Sequence, residues 1–288
     1  MIREPNVTNH LSLNQYSASF DKDELRRLIT LLQERLDAAA ELEVDNFKKL
    51  TQTDEEYEKN KNVLRDGYKI RPTLIGFGGL ELFGLATDVF DSPNFPENVK
   101  SIYINSSINL KAVHGYSVRN YLELFIDFSR PEIFDFNIMP SGSTPNGSNV
   151  KVNGADATWV NGVFHEIQSF ISEHKAKAPW LHKHTIYDIL LLVIGYPIGF
   201  WACFKAAPVI SIVESGGPFL RAALYVYVFI AVLIGFRAFF HYSRWVFPVV
   251  EFRYPKSKFL QHRLFLSALL VALISSFVYD VLKAPFAK

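Results

Sequence analysis

Three apolar runs in the last hundred residues set the outer limit on what this 288-residue chain can fold into. Ile189 to Val213 holds one charge, Lys205; Ser215 to Phe236 holds one, Arg221; Leu264 to Leu282 holds one, Asp280. A helix that crosses the hydrocarbon core of a bilayer needs about 20 mostly apolar residues. Each run reaches that length if its lone charge sits near an end and snorkels toward water. Helices of a soluble domain carry a polar stripe, and these runs carry none. Spans are therefore expected at about 186–206, 218–238 and 262–282.

The small residues inside the runs are spaced for packing. Pro197 lies between Gly195 and Gly199 and would release the carbonyl of Val193, a loss that neighbouring helices can repair in lipid. The first span is expected to kink there. Gly195, Gly199 and Cys203 are four apart, as are Ala231 and Gly235, and again Ala268, Ala272 and Ser276. Such faces let helices approach closely, which argues for a bundle and a homo-oligomer rather than a lone anchor. Ser276 and Asp280 continue the third stripe as candidates for lining a polar path, because an ionisable residue in a span usually faces a bundle interior or water. A carboxylate among the headgroups is the alternative for Asp280. Cys203 has no base near it in sequence and reads as a packing residue. As the single cysteine it leaves no internal disulfide and fits a reducing compartment.

Charge then orients the spans. Residues 185–288 carry ten Lys or Arg against four acids, and residues 1–184 carry 20 against 25. Between the second and third spans, Arg237–Arg263 holds six Lys or Arg and one acid, while the first connection holds little beyond Lys205 and Glu214. Basic connections stay on the cytoplasmic side. The amino-terminal region and the second connection are expected inside, the first connection and the carboxyl terminus outside, with Arg237, Arg244 and Trp245 as topology anchors. The aromatic and basic stretch 239–259 is expected to lie along the inner membrane surface, and His182 and His184, flanking Lys183, at the headgroups. The first twenty residues lack the apolar core of a signal peptide. The expected location is the bacterial inner membrane with a cytoplasmic amino terminus.

The preceding region reads as α+β. Asp21 and Glu24 are spaced as a capping box, followed by Leu25, Leu28, Ile29, Leu32, Leu36 and Ala39 at helical period. Thr53 and Glu56 start a shorter helix. Residues 101–110 alternate, with Ile102, Ile104, Ile108 and Leu110 on one face, and residues 118–128 alternate again after a turn around Gly115. These predict an antiparallel hairpin. Residues 71–79 predict an earlier strand, and 150–152 or 158–160 a later one. A last helix from about Asn161 carries Val160, Val163, Phe164, Ile167 and Ile171 on one face. The expected fold is thus an α+β cytoplasmic domain (N-terminal helices, antiparallel sheet, one amphipathic helix) followed by a C-terminal bundle of three transmembrane helices. Its parts are an N-terminal helical region 1–66, an α+β domain 67–176, a linker 177–184 and a transmembrane domain 185–288.

No catalytic, metal or cofactor signature emerges, so the chain is not expected to be an enzyme. GFGGLELFG (76–84) fails the dinucleotide fingerprint because Glu81 takes the third glycine's place, and it lacks a Walker lysine. Its glycines read as a bulge or bend in a strand. Asp127, Asp135 and Asp156 read as scattered turn acids. Two functions stay open: a membrane effector or channel gated by the soluble domain, and a membrane-anchored scaffold or sensor without a pore. In the order of its parts the chain resembles bacterial anti-phage defence effectors that disrupt membranes, such as the channel-forming component of Hailong systems. That resemblance implies an oligomeric channel restrained by a nucleotide or oligonucleotide from a partner enzyme; it implies no particular ligand-contacting residue. The partners expected are the lipid bilayer, further copies of the chain and that signal.

Overall fold

A computed structural model describes residues 7–49, 51–133, 140–211, 217–254 and 259–283. The chain divides into two compact units. An α+β unit takes residues up to Ser129, Pro145–Pro179 and Val249–Tyr254, and a helical unit takes Arg130–Thr144, Trp180–Pro248 and the residues from Pro255 onward.

The α+β unit opens with β1 (Asn9–Asn14) and β2 (Ala18–Phe20), then α1 (Lys22–Asn46) and α2 (Asp54–Gly67). Both helices begin at the expected capping boxes. The Asp21 carboxylate accepts from the Glu24 N–H at 2.9 Å while that of Glu24 accepts from the Asp21 N–H at 2.8 Å. Thr53 and Glu56 do the same at 3.2 and 3.0 Å. Each box satisfies two N–H groups that a first helical turn leaves without partners. The periodic residues of α1 are all buried, each leucine or isoleucine contributing about 1.5–3 kcal/mol.

Next come β3 (Thr73–Gly76), β4 (Glu81–Phe83), the single turn α3 (Asp88–Asp91), β5 (Val99–Asn105), α4 (Ile108–His114), β6 (Tyr121–Asp127), β7 (Asn149–Gly154) and α5 (Ala157–Glu173). They build a six-stranded sheet in the order β1-β7-β6-β5-β3-β4, antiparallel at every pairing. One face, with Leu74, Ile104, Leu124 and Val152 pointing in, shares a single core with the apolar sides of α1 and α5. Residues 9–20 lie within the region read as helical, yet they form strands, and β1 closes one edge of the sheet.

The expected hairpin is present as β5 and β6, with Ile102 opposite Ile126 and Ile104 opposite Leu124. Its connection is a helix, not a short turn. The Asn105 side-chain oxygen accepts from the Ser107 N–H at 2.9 Å and hydroxyl at 2.8 Å, which ends the strand and frees Ile108 to start α4. Gly115 caps that helix at φ 63°, where glycine carries no steric penalty. Residues 158–160, one of two options for the later strand, fall in α5, because the Asp156 carboxylate caps the N–H groups of Thr158 and Trp159 at 2.8 and 3.0 Å. Residues 76–84 make the turn and second strand of the β3–β4 hairpin, and β3 shifts register against β5 between Ile75 and Gly76.

The connection between the second and third apolar helices departs furthest from the sequence reading. Instead of lying along a membrane surface, it contributes β8 (Val250–Phe252), which pairs in parallel with β2. Ala18 stands opposite Val250 and Phe20 opposite Phe252. Val249 and Val250 are buried in the α+β core, and the Phe252 ring meets Phe128 and Phe95 at 5.7 and 6.3 Å. Arg253 donates its N–H to the Phe20 carbonyl at 2.7 Å, and its guanidinium pairs with Glu24 and with Asp21, the latter at 3.4 Å. The capping box of α1 is thereby clamped by a residue from between two apolar helices.

The helical unit holds α6 (Ile186–Leu190), a π-helical turn (Leu191–Gly195), α7 (Tyr196–Ser211), α8 (Gly217–Val246) and α9 (Phe259–Lys283). Three helices, Ile186–Ser211, Gly217–Val246 and Phe259–Asp280, are long and apolar enough to cross a membrane. They mark the chain as a membrane protein.

Candidate functional site

The first apolar helix absorbs its proline by changing register. Pro197 has no N–H to give to Val193. In the π-helical turn that precedes it, the Tyr196 N–H reaches back to the Leu191 carbonyl. Such a one-turn widening is where helices accommodate an inserted residue and bend. The small residues here act as sockets. A Cβ on Gly199 would lie 2.7 Å from the Phe229 ring, and one on Gly195 would lie 3.4 Å from Phe236. The Phe229 ring also packs, tilted, against Phe200 and Tyr196 at 5.1 and 6.0 Å. Cys203 is partly buried, its thiol 3.5 Å from the Tyr225 carbonyl.

The other small residues are placed differently. Ala231 and Gly235 are exposed, and nothing lies within 4 Å of where a Gly235 Cβ would sit. Ala268, Ala272 and Ser276 are exposed along α9. Between the three helices is a cleft of about 590 Å³, with apolar walls that include Pro197, Gly235 and Phe277.

Asp280 is bonded across two of the apolar helices. Its carboxylate accepts from the Lys205 ammonium at 2.8 Å and from the Trp201 indole N–H at 2.9 Å, tying α9 to α7. Lone charges near matching ends of two parallel spans were visible in the sequence; which would pair was not.

At the opposite ends of these helices lies a polar knot. Arg244, read as a topology anchor, is only 2% exposed. Its guanidinium donates to the Leu181 carbonyl at 3.1 Å and the Gly142 carbonyl at 3.0 Å, and it lies 4.5 Å over the Phe240 ring. Trp245 stacks on Tyr242 at 5.9 Å and meets Phe259 and His262 edge-on at 5.1 Å. The Tyr242 hydroxyl and His262 are 2.8 Å apart, and Arg263 donates to the Val246 carbonyl at 3.3 Å. Arg237, the third proposed anchor, sits on α8 and is half-buried. Ser141 ties the knot to the first helix: its hydroxyl donates to Asp188 at 2.6 Å and its carbonyl accepts from the Thr185 N–H at 2.8 Å.

His182, expected at the headgroups, is buried in the same knot. Its Nε2 faces the Phe247 carbonyl at 2.6 Å, which can only accept, so Nε2 carries the proton and Nδ1 accepts from the Thr144 hydroxyl at 2.9 Å. Burial, with the nearby Arg244 charge, pushes its pKa down to about 4. A histidine whose folded pKa is lowered gives stability that is full above its ordinary value near 6.5 and is lost as pH falls toward 4. Melting in detergent is expected to show about 2 kcal/mol less stability at pH 5 than at pH 7.5 from this group. His182→Gln should remove that part of the slope. Identical slopes in parent and variant would contradict it.

Among the described residues of the α+β unit, the most buried acid is one that the sequence did not single out. Glu43, 2% exposed on α1, accepts from the Tyr68 hydroxyl at 3.3 Å, the Arg119 N–H at 3.2 Å and the Tyr116 hydroxyl. Burial, then the Glu43 carboxylate, pushes both tyrosines above their usual range. The hub joins α1 to the ends of α2 and α4 and uses its acid for hydrogen bonding. Asp127 accepts from the Ser129 N–H at 2.9 Å and the Gly147 N–H at 3.1 Å, a turn role like that of Asp156. Asp135 lies outside the described residues. No protein-family model, no curated protein and no solved structure matches this chain.

Proposed function

We propose that the chain is a homo-oligomeric effector of the bacterial inner membrane, an ion channel whose opening is controlled by a cytoplasmic α+β unit. On this reading it acts in anti-phage defence by disrupting the membrane, with no enzymatic step of its own. A nucleotide or oligonucleotide from a partner enzyme restrains it. One observation carries the reading: the link between the second and third apolar helices is itself a strand of the α+β unit, paired with β2 and clamped on the α1 cap through Arg253. An anchor needs one covalent attachment. Here the chain leaves the helical unit after Pro248, is built into the other fold and returns at Pro255, so a change in that fold pulls on two helices. The π-helical turn with Gly195, Pro197 and Gly199 is the natural place for the first helix to bend. The exposed Ala268, Ala272 and Ser276 stripe is available to further copies.

A scaffold or sensor without a pore is favoured by a different observation. In a single copy Asp280 is held by Lys205 and Trp201, and the cleft between the helices has apolar walls. Potassium flux from liposomes separates the two. The parent is expected to conduct, and Arg253→Glu, which sets a third acid against Asp21 and Glu24, is expected to change that flux at least tenfold. Equal flux in both removes β8 as the controlling element. Flux at the bare-lipid level in both leaves the scaffold.

A further inference from the structure

We infer that the cleft between the three apolar helices is a phospholipid site, with an acyl chain between the helices and the phosphate at Lys205. The inference does not depend on the channel reading; it requires only that the three helices cross a bilayer.

The cleft lies between the two ends at which α9 is fastened. At one end Tyr242 meets His262 at 2.8 Å and Trp245 packs on Phe259 at 5.1 Å; at the other Asp280 binds Lys205 at 2.8 Å and Trp201 at 2.9 Å. In the interval Gly235 supplies no side chain, and a Cβ there would meet nothing within 4 Å. The resulting space of about 590 Å³ is open rather than sealed. Protein interiors leave few voids larger than a water molecule. Water cannot fill this one well, because a buried water needs two to four polar partners. The indole N–H of Trp201, the polar group on the wall, is already given to Asp280. Among helices that cross a membrane, the apolar molecule at hand is an acyl chain.

Charge selects the headgroup end. Lys205 lies 5.8 Å over the ring of Trp201, which forms part of the cleft wall. An ammonium has three donors, and Asp280 takes one. With its side chain 48% exposed, Lys205 can offer the others to a phosphate oxygen.

The test is photo-crosslinking of the full chain in phosphatidylcholine vesicles that contain phosphatidylglycerol with a diazirine on one acyl chain. Labelling is expected to concentrate on Trp201 and Phe277 over Tyr227, which is 71% exposed on α8. Gly235→Phe should lower the Trp201 and Phe277 labelling at least fivefold and leave Tyr227 unchanged. Leu273→Trp fills the same space from α9 and serves if the first variant does not fold. A diacylglycerol with the same diazirine chain should label at least threefold less than the phospholipid. Equal labelling of cleft and Tyr227, or labelling that neither filled variant reduces, means surface lipid only and overturns the site. Cleft labelling that disappears at a high protein-to-lipid ratio while Tyr227 labelling persists would overturn it in favour of a helix from another copy. Equal labelling by diacylglycerol overturns the role of Lys205.

Discussion

Arg244→Ala is expected to destabilise the helical unit by about 2–6 kcal/mol, because a buried and a part-buried carbonyl lose their donor at about 1–3 kcal/mol each. The guanidinium is 2% exposed and its partners, Leu181 and Gly142, come from separate segments of the chain, so no neighbouring group replaces it by a small shift. The contact with the Phe240 ring at 4.5 Å goes as well. Arg244→Lys should recover little, since a single ammonium lacks the planar fork that reaches both carbonyls and the ring. Denaturant melts in detergent, followed by tryptophan fluorescence, check the size of the effect. A loss below about 0.5 kcal/mol, the range of an ordinary surface change, would place Arg244 at the membrane surface as a plain topology anchor.

Arg244 also shows where sequence reading stops. Its position near the end of an apolar run, in a basic connection, is legible from charge alone, and the run itself is a helix as expected. What charge cannot reveal is that residues 140–144 and 180–182 supply carbonyls for that guanidinium to bind. The same limit holds elsewhere. Capping boxes at Asp21 and Thr53, the apolar face of α5 and the alternation of β6 are local patterns, and they appear in the fold with small shifts of boundary. The strands β2 and β8 have three residues each and pair from opposite ends of the chain, so no local period marks them. Glycine spacing predicted close packing in the first span. That Gly199 receives a phenylalanine ring, while Gly235 opens onto a cleft, depends on which partner faces each glycine.

The segment with no local signature carries the other large prediction. Val250→Asp is expected to cost about 5 kcal/mol or more and to unfold the α+β unit in part. Val250 is fully buried between β2 and the core, so truncating it forfeits about 1.5–3 kcal/mol of apolar burial. The new carboxyl must then stay protonated in an apolar site, and raising its pKa by about three units to remain neutral at pH 7 costs about 4 kcal/mol more. Phe252 would lose its place beside Phe95 and Phe128, and the Arg253 clamp on Asp21 and Glu24 would slacken with it. Val250→Ala should show only the first part of the loss. Hydrogen exchange on the full chain in detergent locates the effect: faster exchange in β2, β8 and the first turn of α1 is expected. Had 249–254 lain along a membrane surface, an aspartate there would leave those amides unchanged and alter lipid binding alone. Unchanged exchange in Val250→Asp would remove β8 from the fold, and with it the second attachment on which the proposed control of the apolar helices rests.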